Sequence, residues 1–131
     1  MRKSKEPTTH FFKKAVEIPM YGGYFIIIFS DDIYKVAEVI HARPEEIGYL
    51  YGQTFHNFIY KGYESFCVCL NFWHKEAISL GTIIHEVNHA GNRIMDARGF
   101  DPDFENDEAE CYLKGWCADE VQSFMLKCGI N

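Results

Sequence analysis

Phe66-Cys67-Val68-Cys69-Leu70-Asn71-Phe72-Trp73, followed from about Lys75 by a helical pattern that runs to Ala97, is the stretch from which the fold is read. Successive side chains of a strand point to opposite faces, so Phe66, Val68, Leu70 and Phe72 share one side and Cys67, Cys69, Asn71 and Trp73 the other. That composition predicts a sheet strand covered on at least one face. Beyond it the period changes. Ala77, Ile78, Ile83, Ile84, Val87, Ala90 and Ile94 recur at helical spacing, and Gly99 closes the pattern. A strand feeding directly into a long amphipathic helix predicts an α+β fold.

Upstream, Tyr49–Ile59 and Tyr63–Trp73 are rich in aromatic and β-branched residues with Lys61-Gly62 between them, which predicts a hairpin. A first hairpin is predicted from Lys13–Met20, the Tyr21-Gly22-Gly23 turn and Tyr24–Phe29. Between the two, Ser30-Asp31-Asp32 can cap a helix from about Ile33 to His41, which Arg43-Pro44 ends. Downstream, Asp101-Pro102-Asp103 turns the chain into a last helix from about Glu105 to Lys127. No repeat or linker divides the sequence. The expectation is a flexible tail over residues 1–12 and one domain over residues 13–131, with a small, mostly antiparallel sheet packed against the long helix and the C-terminal helix.

The 131 residues are 47% hydrophobic and 24% charged, enough for one modest core. A formal charge of −6 argues against a nucleic-acid partner held through phosphates. Met1 to Lys14 lacks the apolar core of a secretory signal, and Tyr24–Phe29 is too short to span a bilayer. No membrane partner is expected. Five cysteines without a disulfide rhythm suggest free thiols in a cytoplasmic setting, and Cys67 and Cys69 read as buried small residues rather than ligands.

The long helix also carries His85-Glu86-Val87-Asn88-His89. Histidines at i and i+4 lie about 40° apart around a helix and about 6 Å apart along it, so both imidazoles can reach one ion. Glu86 then stands beside that ion, placed to take a proton from an activated water. A catalytic zinc needs a third protein ligand, and the downstream carboxylates supply the candidates. Glu108 shares a helical side with Cys111, Tyr112 and Gly115, a strip suited to packing on the motif helix. Glu110, about 200° around from Glu108 and four residues before Lys114, is expected in solvent as half of an ion pair. Glu108 is therefore the choice, with Glu105 as the alternative. Tyr112, His56 and His74 are candidate oxyanion donors, with aromatic packing an equal reading of Tyr112. Tyr63–Trp73 is a candidate edge for an extended substrate, with sheet core an equal reading of its composition. Asn88 and Asn92 read as polar positions on a cleft rim, and His10 and His41 as surface or satisfied residues.

This pattern resembles the gluzincin metallopeptidases in minimal form, where the two histidines are followed by a glutamate on the next helix. Glu108-x-x-Cys111-Tyr112 is similar to the segment that supplies the third zinc ligand in proteases of the ImmA/IrrE type, with Cys111 in place of the usual alanine. Glu108 to Trp116 also resembles small zincin-like proteins of phages and prophages. The resemblance covers about Leu80 to Trp116. It implies a zincin-like fold, a Zn²⁺ cofactor on His85, His89 and Glu108, and a protein or peptide substrate cleaved with Glu86 as general base. No helix-turn-helix domain of the kind that often accompanies the ImmA type is expected, so the resemblance implies no direct role on DNA. Two other functions share the motif: a non-catalytic, phage-type binding protein with a structural metal, and a hydrolase of non-peptide amides. The substrate's identity and the oligomeric state are not set by the sequence.

Overall fold

The computed structural model describes residues 10–48, 51–71 and 78–130. Among the described residues, four strands and three helices follow in the order β1 (Phe11–Glu17), β2 (Tyr24–Ser30), α1 (Ile33–Ile40), β3 (Gly52–Tyr60), β4 (Tyr63–Asn71), α2 (Leu80–Ala97) and α3 (Glu108–Lys127), with a 3-10 turn at Pro44–Glu46. The sheet runs β1-β2-β4-β3. Both hairpins form as expected, β1 with β2 and β3 with β4, each antiparallel. They are joined by a parallel pairing of β2 with β4, in which Phe25 lies opposite Phe66 and Phe29 opposite Leu70. The fold is α+β and mostly antiparallel.

That parallel seam explains the apolar run Phe25–Phe29. A central strand covered on both faces needs no polar alternation. One face of the sheet buries Phe25, Ile27, Phe29, Phe66, Val68 and Leu70 under α2 and α3. The other buries Ile26, Ile28, Cys67 and Cys69 under α1, through Val36, Ala37 and Ile40. Cys67 and Cys69 are indeed buried and unbridged, and burial pushes the Cys67 thiol well up. Of the two equal readings of Tyr63–Trp73, substrate edge and sheet core, the strand takes the second over its described length, Tyr63–Asn71, where it is central. Its hydrogen-bonding groups are taken by β2 and β3, and among the described residues the open edge on that side of the sheet belongs to β3.

Boundaries shift for local reasons. β1 starts at Phe11, inside the expected tail. In α1, Asp32 caps the first turn by accepting from the Tyr34 and Lys35 N–H groups, and His41 ends it in the left-handed region at φ 57°. Helix α2 begins at Leu80, because extended Ser79 caps it by accepting from the Thr82 N–H; the expected start near Lys75 lies outside the described residues. α3 begins at Glu108 rather than near Glu105. The Asp103 carboxylate accepts from the Glu105 N–H at 3.0 Å, which holds that stretch in a turn.

One contact fixes the far end of α2. The Arg98 guanidinium donates to the carbonyls of Tyr21 (2.6 Å) and Gly22 (3.1 Å), pairs with Glu64 at 3.4 Å and lies over the Phe66 ring. It ties the helix to the β1–β2 turn and to β4. Gly23, at φ 78°, passes so close to the Glu64 carbonyl that a Cβ there would stand 2.2 Å from its oxygen.

Candidate metal and hydrolytic site

Along α2, Ile83, Val87, Ala90 and Ile94 are buried against the sheet, which leaves His85 and His89 on the outer side. Both are exposed, and their ring centroids stand 4.8 Å apart at an interplanar angle of 78°. Glu86 is about 100° further around the helix. It is only 6% exposed and turns toward β3. There the Thr54 hydroxyl lies 2.7 Å from Glu86 Oε1 and 3.1 Å from the Glu86 carbonyl oxygen. A carboxylate withdrawn from water needs such a donor.

Gly52 makes the approach possible. A Cβ at that position would lie 3.1 Å from Glu86 Cγ and 2.8 Å from Leu70 Cδ2. Gly52, Thr54 and His56 alternate along β3 on the side toward α2, as the pleat requires. After His56 the strand bulges between Phe55 and Phe58, with Asn57 at φ 65°. The extra residue sends Phe58 into the core beneath α1, where Phe55 also packs.

A cavity of about 320 Å³ results, lined by Thr54 and His56 from β3 and by His85, Glu86, His89 and Arg93 from α2. A second hollow continues it past Tyr51, Gly81 and Thr82. A larger hollow, about 520 Å³, lies on the other flank of α2 beside α3 and is lined by none of the histidines. Asn88 and Asn92 line that groove and not the histidine cavity whose rim they were expected to form.

Helix α3 is rotated away from its expected setting. Its buried stripe is Leu113, Cys117 and Val121, while Cys111, Tyr112 and Gly115 are exposed. Glu108 is exposed at the start of the helix and does not line the histidine cavity. Glu105 is exposed too. Glu110, expected in solvent, lines the α2–α3 groove. Its ion pair with Lys114 does form, at 2.6 Å, with the Lys114 stem packed on Gly91. The apolar residues of α3 lie on all its sides, so its periodicity names no single face; burial of Leu113, Cys117 and Val121 chose it. Tyr112, 75% exposed, joins Pro19, Met20 and Trp116 around an apolar hollow instead of the histidines.

Among the described residues, then, His85, Glu86 and His89 come together with His56, and Glu108 and Tyr112 stand elsewhere. No three His, Cys, Asp or Glu side chains among the described residues stand as a ready-made metal-holding set. His74 lies outside the described residues. His10 pairs with Asp31, Nδ1 to Oδ2 3.1 Å, and so is a satisfied histidine. Sequence reasoning missed Thr54 and Gly52, whose roles depend on a strand pressed against α2. Compared with known proteins, the chain matches no family model, no curated protein and no solved structure.

Proposed function

We propose that this protein is a small zinc-dependent hydrolase of peptide bonds, zincin-like in organisation, with His85 and His89 as metal ligands and Glu86 as general base. The observation that carries the reading is the setting of Glu86: a buried carboxylate anchored by Thr54 in the same cavity as two exposed imidazoles. The donor chemistry suits the ion, since neutral imidazoles bind borderline cations such as zinc. Zinc supplies Lewis acidity and lowers the pKa of a water from about 15.7 toward 7.

Glu86 accepts the proton of the attacking water and returns it to the leaving amine. Thr54 holds the carboxylate in one orientation by donating to Oε1. The open edge of β3 offers main-chain groups to an extended peptide, which would lay its backbone along the cavity. Arg93, one turn beyond His89, adds a cation at the end of that groove. Free thiols throughout accord with a reducing cytoplasm. Among the described residues no helix is long and apolar enough to cross a membrane.

The test is metal analysis joined to turnover on a mixed peptide library. Wild type should bind one zinc and cleave, and Glu86→Gln should bind zinc and not cleave. Equal cleavage by Glu86→Gln removes it as the base. A second reading, a metal-clamped binding protein, draws on the placing of Glu108 outside the cavity, and it predicts zinc binding without turnover in wild type.

A further inference from the structure

Two imidazoles leave a zinc site one protein donor short. We infer that His56, reaching from the edge strand β3, is the third protein ligand of a divalent cation held by His85 and His89. This rests on the metal-binding half of the reading above and is independent of whether peptide is the substrate.

Besides the pair and Glu86, His56 is the one His, Cys, Asp or Glu among the described residues that lines the cavity. Backbone geometry holds it there. Thr54, two residues earlier on the same side of β3, is hydrogen-bonded to Glu86, so the strand is fixed against α2 at the residue next to His85. The bulge at Asn57 lets the chain keep His56 toward α2 while returning Phe58 to the opposite core. Bulges placed beside functional sites serve to aim a side chain in this way.

His56 makes no hydrogen bond or ion pair among the described residues, so turning its ring about χ1 and χ2 toward His85 and His89 breaks no such link. Rotation between staggered rotamers is a small cost against metal binding, and it accounts for three donors that share a cavity without yet standing as a closed set. The carboxylates of α3 lack this access. Glu108 is exposed on the side of the helix away from Leu113, Cys117 and Val121, and Glu110 is held by Lys114 on the far flank of α2. Three neutral imidazoles also state a preference: zinc, cobalt(II) and nickel(II) over magnesium or calcium, which require oxygen ligands.

The experiment is a zinc titration of the full chain by calorimetry, repeated on His56→Ala, His56→Gln and Glu108→Ala. Nitrogen-15 NMR of the unmutated protein would follow the imidazoles in parallel. Expected are a loss of affinity of about a hundredfold or more in both His56 variants, a change of less than about threefold in Glu108→Ala, and zinc-induced shifts of three imidazoles including His56. Zinc affinity unchanged in the His56 variants, or a His56 ring unmoved by zinc, overturns the inference, as does loss of zinc on Glu108→Ala. Wild type that binds no zinc overturns this and the metal reading together. Zinc held through His56 without peptide cleavage overturns only the peptidase.

Discussion

Helices α2 and α3 have similar lengths, 18 and 20 residues, and pack side by side, yet the buried face of one is readable in the sequence and that of the other is not. α2 sends Ile83, Val87, Ala90 and Ile94 to the sheet and His85 and His89 outward, with Leu80 and Ile84 the exposed apolar exceptions. α3 carries Tyr112, Leu113, Trp116, Cys117, Val121, Phe124 and Leu126 around its whole circumference. Any of several stripes would serve as an inner face. The lesson is that a ligand assignment made by helical phase is only as secure as the amphipathicity of the helix that carries it.

The contrast can be broken first at Glu86. Its replacement by Gln should lower kcat by about 10²–10⁴-fold with zinc retained, read from single-turnover peptide cleavage. A smaller loss would mean that the orderly face of α2 holds a structural pair. Next comes the rotation of α3. Leu113→Ala should cost about 2–5 kcal/mol in urea denaturation, whereas Tyr112→Ala should stay within about 0.5 kcal/mol. The reverse order would restore the stripe expected from the sequence and return Glu108 to the motif helix.

Thr54 sharpens the α2 side. Thr54→Val leaves a buried carboxylate without its donor, so stability should fall by about 1–3 kcal/mol and kcat by more than KM rises, while Thr54→Ser retains both. The smallest effect concerns Cys117 on the buried stripe of α3, where burial pushes the thiol from 9.0 up to about 12. Between those values the unfolded chain releases a proton that the folded chain keeps. Stability should therefore fall as pH rises from about 9 toward 12, and Cys117→Ala should flatten that part of the profile. Exposed Cys111 should react with iodoacetamide while Cys117 stays protected.

Much of the fold could be read along the chain because its signals are local. The Lys61-Gly62 and Gly22-Gly23 turns produce hairpins, and Asp32 and Ser79 cap helices through their own side chains. The pairing of β2 with β4 has no such local mark. Two hairpins can be joined in several ways, and the doubly buried run Phe25–Phe29 states only that its strand is central. The edge and core readings of Tyr63–Trp73 stood level for that reason, and the core one holds over Tyr63–Asn71: composition cannot tell which strand of a hairpin faces outward.

By itself the sequence determined the α+β class, the spacing that sets His85 and His89 on one helical face, and the acidic neighbour between them. These depend on contacts within a few residues, which backbone geometry fixes wherever the helix forms. Tertiary structure alone decided which groups surround that face. Thr54 and Gly52 meet Glu86, and His56 enters the cavity, because β3 packs against α2 from well upstream along the chain, with Thr54 and Glu86 32 positions apart. The position of Glu108 was settled by which apolar stripe of α3 the core would accept, a choice among burial energies that no single stretch of sequence expresses.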